Sequence, residues 1–192
     1  MTFDSQSVAA VFAQTDRELW LLSTSHGERR AGLIATSVAS ASIVSDLPRI
    51  VVSLGKQHHT WSVVEASRKF VLHLLRSDQL ELAWKFATTT GHGGDKFDLL
   101  ASEAGPCGPR LADAAGWVDC VVETSLDLGD RTLYVAEISG GSWIGPGPVL
   151  TVQRMIRTAT PDQLRLLKSQ MAEHSGTDAE AIRKWRAEAK RS

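Results

Sequence analysis

The densest set of groups able to bind an anion in this chain lies in residues 32–61, GLIATSVASASIVSDLPRIVVSLGKQHHTW. Thr36, Ser37, Ser40, Ser42 and Ser45 supply short hydroxyl donors, and Lys56, His58 and His59 supply basic groups close behind. A phosphate needs this combination: short donors and backbone N–H groups in a concave surface, with cations to offset its charge. The alternative is a serine-rich loop followed by an exposed basic turn, since small hydroxyl residues are common in loops.

Those groups meet only if neighbouring strands carry them. Residues 32–38 start as a strand, Asp46-Leu47-Pro48 makes a turn, and residues 49–54 form a second strand ending at Gly55. Further strands are expected at 19–24, 70–75, 120–127, 132–138 and 149–152. The pairs 19–24/32–38 and 120–127/132–138 read as hairpins, the latter around Leu128-Gly129-Asp130-Arg131. In the run FVLHLL, His73 should face opposite to Leu72 and Leu74. A packing helix is expected over 7–14, another over 61–67 capped by Thr60, and a third from a Ser77 cap to about residue 87. Thr88 to Gly94 reads as a flexible loop. Two capping boxes, Thr160-Pro161-Asp162-Gln163 and Thr177-Asp178-Ala179-Glu180, predict two C-terminal helices separated at Gly176. Trp185 on the second of them needs a surface to cover it. Hairpins with short inserted helices argue for a mainly β fold, an antiparallel barrel with flanking helices, over a doubly wound parallel sheet.

Several chemistries are set aside. A formal net charge of -1 gives no electrostatic reason for a nucleic-acid partner, and no apolar run approaches a membrane span. Two isolated cysteines, Cys107 and Cys120, make neither a disulfide framework nor a metal pair and fit a reducing compartment. With no basic, apolar leader at the start, the expected location is the cytoplasm. His58 and His59 are adjacent, which points their rings apart and makes a poor metal pair. No Gly-x-Ser-x-Gly elbow is present for a nucleophilic serine.

Taken in order, the motifs resemble those of the flavin reductase-like family, the FMN-binding split barrels. The resemblance is carried by Ala35-Thr36-Ser37, Ser40-x-Ser42, the turn proline and Lys56 to Thr60, then Glu65 to Val71. It continues through Gln79, Leu82-Ala83 and Phe86, Asp95-Lys96-Phe97, Leu111, Trp117, Cys120 and Gly129-Asp130. It spans about residues 5–152, so it implies a flavin-binding domain over 1–152 and a helical extension over 153–192. The resemblance implies that Ala35, Thr36 and Ser37 meet the isoalloxazine edge. It likewise implies that Ser42, Ser53, Lys56, His58 and His59 surround the ribityl phosphate, and that Lys85 and Phe86 approach from the following helix.

Two departures stand out. Asp46-Leu47-Pro48-Arg49 replaces the family's Asp-Pro-Pro turn, and Arg131 stands where many NADH-using members have the histidine of Gly-Asp-His. Arginine cannot reproduce imidazole stacking and titration, but it attracts a 2′-phosphate or a carboxylate, so Arg131 is the candidate nicotinamide contact. The resemblance implies a homodimeric NAD(P)H-dependent reductase of FMN, or of FAD, that supplies reduced flavin to a monooxygenase, with NADH or NADPH as donor. Two other readings are open: a flavin-binding electron carrier or store without efficient NAD(P)H oxidation, and a non-catalytic barrel that binds a protein through its tail helices.

Overall fold

The apolar runs become strands joined by short helices: α1 (Ser5–Ala13), β1 (Trp20–His26), β2 (Arg29–Ala35), β3 (Val38–Ser40), β4 (Arg49–Gly55), α2 (His59–Ser67) and β5 (Lys69–Leu74). There follow α3 (Leu80–Thr88), β6 (Ser102–Ala104), β7 (Pro109–Leu111), β8 (Gly116–Asp127), β9 (Arg131–Trp143), α4 (Val152–Arg157) and α5 (Pro161–Ala189). The computed structural model describes residues 4–89, 96–98 and 100–190, so the glycine-rich loop at 91–94, Asp95 and Arg191 lie outside the described residues. Seven strands form one antiparallel half-barrel sheet in the order β2-β1-β5-β8-β9-β4-β3, and β6 pairs with β7 apart from it.

Period-two alternation divides the apolar side chains between two cores. Leu22, Ile50, Val52, Phe70, Leu72 and Tyr134 fill the first, inside the curl of the sheet. Leu19, Leu21, Leu75, Trp84, Phe86 and Phe97 fill the second, which α3 covers and which Met155 and Leu167 also join. Gly32 is where α3 meets the sheet, since a Cβ there would come within 2.8 Å of Phe86 Cε1 and 2.9 Å of the Leu22 carbonyl oxygen. His73 does face away from Leu72. It is fully buried, with Nδ1 3.0 Å from the Leu21 carbonyl and Nε2 accepting from Leu111 N–H at 3.1 Å.

Several local expectations give way to tertiary contacts. The 7–14 helix forms, capped by Asp4, yet buries none of its residues in the single chain; Val11 and Phe12 remain 67% and 69% exposed. The strand expected over 32–38 stops at Ala35, and β3 resumes at Val38. His58, not Thr60, occupies the N-cap of α2, while Thr60 is buried in the first turn. Gln79 replaces Ser77 at the start of α3 because Ser77 N–H donates to the Pro148 carbonyl and Arg76 bridges to Val149, holding that segment extended. The last expected strand reduces to isolated bridges at Val149 and Thr151, and Thr151 then caps α4. The two C-terminal helices expected on either side of Gly176 are one helix, α5, and the short α4 before it was not expected. The Thr160 capping box forms, and α5 runs unbroken through Gly176. One glycine inside a helix costs about 1 kcal/mol, and α5 is held on either side of it, by Gln170 at Thr88 and by Trp185 at Gly129.

Candidate functional site

The interruption between β2 and β3 places Thr36 and Ser37 beside β4, where Ser53 N–H donates to the Ser37 carbonyl at 3.2 Å. Along β4, Ile50, Val52 and Leu54 enter the core, which leaves Val51 and Ser53 on the opposite face. After Gly55 the chain turns into α2, whose N-cap His58 provides no side-chain capping bond. The positive end of that helix therefore lies at the same place as the hydroxyls. A cleft of about 140 Å3 results, with Ala35, Thr36, Ser37, Ser53, His58 and Arg131 in its lining. Thr36, Ser37 and Ser53 also line a neighbouring cavity of about 340 Å3, together with Arg17, Glu18 and Leu133. The larger cavity is within the range of about 300–1,000 Å3 usual for small-ligand sites.

Ser53 Oγ is buried and has no hydrogen-bond partner. Only one other described side chain, the indole N–H of Trp84 in the second core, shares that condition. A buried hydroxyl without a partner costs roughly 1–3 kcal/mol, so such groups mark places where something else completes the bond. Charge around the cleft is mixed, with Arg131 and Arg17 set beside Asp130, Asp178 and Glu18. Burial first, then the nearby His174, Lys96 and Arg131, push His58 down to about 4, so its ring is neutral at pH 7. Its ring stands edge-on to His174 of α5, with centroids 5.4 Å apart. Lys96 is lowered by burial and donates to the carbonyls of Gly32 and Phe86, each at 3.3 Å. Arg131 Nε donates to Asp130 Oδ2 at 2.6 Å, and its Nη2 lies 3.9 Å from Asp178 Oδ2 on α5.

Six of the eleven sequence candidates thus share one cleft: Ala35, Thr36, Ser37, Ser53, His58 and Arg131. The other five do not line it. Ser42 Oγ accepts from Val44 N–H at 3.0 Å within its own loop. Lys56 Nζ pairs with Asp127 at 2.7 Å, because the β8–β9 turn carries that carboxylate up to the end of β4. His59 opens α2, and its carbonyl accepts from the Ser62 hydroxyl at 2.8 Å. Lys85 Nζ reaches the Asp98 carbonyl at 3.4 Å. Phe86 is 2% exposed and packs against Phe97 with centroids 5.2 Å apart, as a core residue.

Sequence reasoning passed over the lining residues Gln57, Arg17 and Glu18, and above all His174 and Asp178 of α5, which touch His58 and Arg131. Asp178 had a visible signal, the Thr-Asp-Ala-Glu box, but that pattern read as a helix start. In the fold Asp178 lies in mid-helix and faces Arg131.

The profile of the family described as flavin reductase like domain matches residues 12–160. The reductase component of 4-nitrophenol 4-monooxygenase/4-nitrocatechol 2-monooxygenase from Rhodococcus opacus is 35% identical over 104 residues, which cover 54% of this chain. The chain spans about half of that relative's length, 55%. Among solved structures, the flavin reductase domain protein of Arthrobacter sp. FB24 superposes with a TM-score of 0.69 at 25% identity, covering 77% of this chain and 90% of that one. The Streptomyces globisporus C-1027 NADH:FAD oxidoreductase SgcE6, in complex with NAD and FAD fragments, shares the fold. Its TM-score is 0.69 at 22% identity, covering 83% of this chain and 94% of that one.

Proposed function

The chain belongs to the flavin reductase like domain family, and from that premise we propose that it is an NAD(P)H-dependent flavin reductase. It takes FMN or FAD in the Ser53 cleft and passes reduced flavin to a monooxygenase partner. The observation that carries this reading is the buried, unpartnered Ser53 hydroxyl at the junction of two cavities. A ligand rich in hydrogen-bonding atoms is what such a group lacks, and a flavin has them along its ribityl chain and pyrimidine edge.

The bound flavin supplies a carrier able to accept a hydride from a reduced nicotinamide. The chain's own task is to bind, orient and stabilise charge. Thr36 and Ser37, at the break in the sheet edge, offer hydroxyl and backbone donors to the ring edge, where preorganised donors favour added negative charge. Ser53 completes its own hydrogen bond on the ligand. The uncapped start of α2 favours the phosphate, and neutral His58 can accept or donate there without a change of protonation at pH 7. Arg131 is a cation on the cleft wall that a dinucleotide would share with Asp130 and Asp178. Hydride transfer needs no side-chain acid or base, so holding both partners in register provides much of the rate.

In this reading residues 1–152 form the flavin-binding domain and 153–192 an added helical segment. The protein acts as a homodimer, and the apolar, uncovered α1 with Val11 and Phe12 is a surface a second copy would bury. No helix among the described residues is long and apolar enough to cross a membrane.

One observation favours a second reading, a flavin carrier slow to oxidise NAD(P)H. Arg131 is already engaged by Asp130 and Asp178. An anaerobic absorbance titration separates the two. Added FMN or FAD should show the shifted bands of a bound flavin, and NADH or NADPH should bleach them within seconds. A bound flavin that stays yellow transfers the function to the carrier reading. Absence of any shift with either flavin rejects both.

A further inference from the structure

Helix α5 crosses the body of the protein along one half-buried stripe, Leu167, Gln170, His174, Asp178, Ala181 and Trp185, spaced three or four residues apart. Its ends are anchored. Leu167 joins the second core, and Gln170 Nε2 donates to the Thr88 carbonyl at 3.0 Å. At the far end it presses on the β8–β9 turn. Gly129 has φ +92°, and a Cβ there would lie 2.7 Å from Trp185 Cβ and 2.8 Å from the Ala181 carbonyl oxygen. Between these anchors, where the helix passes the cleft, the stripe turns polar: His174 meets His58, and Asp178 meets Arg131. A helix that only sheltered apolar surface would carry apolar side chains there.

Arg131 therefore has two carboxylates about its guanidinium, Asp130 at 2.6 Å and Asp178 at 3.9 Å. Asp178 is 19% exposed and Arg131 38%, so solvent screens the pair only partly. We propose that Asp178 determines which nicotinamide dinucleotide the cleft accepts, by engaging the Arg131 guanidinium and withholding its charge from a 2′-phosphate. The inference rests on the reading of this cleft as the place where a dinucleotide meets the flavin. Asp178 is then a positioning residue that acts through Arg131. With it in place, an additional phosphate at the mouth meets a carboxylate as well as an arginine, and the cleft favours NADH.

The test is calorimetric binding of NAD+ and NADP+ to the full chain, as wild type, Asp178→Asn, Asp178→Glu and the double variant Asp178→Asn/Arg131→Gln. Asp178→Asn should tighten NADP+ about fivefold, the scale of one partly exposed charge pair, and leave NAD+ within twofold. Asp178→Glu, which keeps the charge, should retain the wild-type preference, and the double variant should lose the gain. An unchanged NADP+ affinity in Asp178→Asn overturns the proposal, as does a gain that survives removal of Arg131, or no dinucleotide binding by any variant. The FMN absorbance shift, recorded on the same wild-type sample, tests the flavin reading separately. A protein that binds FMN and NAD+ but fails the comparison between variants loses only the role of Asp178, whereas one that binds FMN and no dinucleotide loses the reductase reading as well.

Discussion

Two polar regions of this molecule differ in whether their hydrogen bonds are complete. Around β5, β7 and β8 the account is closed. His73 bridges Leu21 and Leu111, Ser23 Oγ donates to the Pro109 carbonyl at 2.5 Å, and Thr24 Oγ1 donates to the Lys69 carbonyl at 2.7 Å. Arg110 forks onto buried Asp119 while its guanidinium stacks 4.0 Å from the centroid of Trp117. Around the end of β4 the account is open: Ser53 Oγ has no partner, and His58 is half-buried near His174, Lys96 and Arg131. Closed networks rigidify a fold, whereas open ones cost stability unless a ligand completes them. The first region therefore reads as architecture and the second as a binding site.

The comparison breaks most readily at Arg110. Arg110→Leu strands the Asp119 carboxylate, which is 2% exposed as a residue, and should cost about 3–5 kcal/mol in urea denaturation. Flavin affinity of the folded fraction should not change. A loss of flavin binding at unaltered stability would assign the closed network to the site.

Acid should act next, through His73. Burial pushes this imidazole down to about 4 from an ordinary value near 6.5, and Nε2 must stay unprotonated to accept from Leu111 N–H. Between those two values the unfolded chain binds a proton that the folded chain refuses. The stability that neutral His73 contributes is thus complete above about pH 6.5 and falls as the pH drops to about 4, by on the order of 3 kcal/mol. His73→Gln cannot titrate, so its stability should fall less over the same interval; parallel profiles would show that His73 is not the group responsible.

Ser53→Ala sharpens the open side. Removing a hydroxyl that has no partner should leave the apo protein within about 0.5 kcal/mol of wild type, or slightly more stable. Flavin binding should weaken about fivefold to tenfold, for one hydrogen bond lost. If the apo protein instead loses stability and flavin affinity holds, Ser53 belongs with the closed region.

The smallest effect is expected at Lys56. Its ammonium already pairs with the largely exposed Asp127, a pair worth about 0–1 kcal/mol. Lys56→Ala should therefore change FMN and riboflavin affinity alike, within about twofold. A selective loss of FMN would place Lys56 on the phosphate, as residue order alone suggests.

Much of this arrangement was legible in the chain. Alternation in 49–54 located β4, and the Ser/Thr cluster marked where hydroxyl donors gather, but 32–38 read as one strand and the break between β2 and β3 was not foreseen. Asp130-Arg131 after Gly129 indicated the hairpin that delivers Arg131. Less legible were signals that work over three or four residues. The Thr-Asp-Ala-Glu box and Gly176 both describe a helix boundary in isolation, but α5 is held from outside at Thr88, at the cleft and at Gly129. Phe86 illustrates the same limit. The helix that carries it was expected, while the choice between cleft and core depended on Phe97 and on the glycine opposite.

By itself, then, the sequence determined the long strands, the β class and the residues able to bind an anionic ligand, because period, turn chemistry and residue type are local properties of a chain. Tertiary structure alone decided which of those residues converge, which hydroxyl lacks a partner, and that a carboxylate near the C-terminus pairs with an arginine in the β8–β9 hairpin. The reason is physical. Burial, desolvation and charge pairing depend on what lies within a few ångströms in space, and Asp178 and Arg131 are brought together only when the hairpin and α5 are both in place.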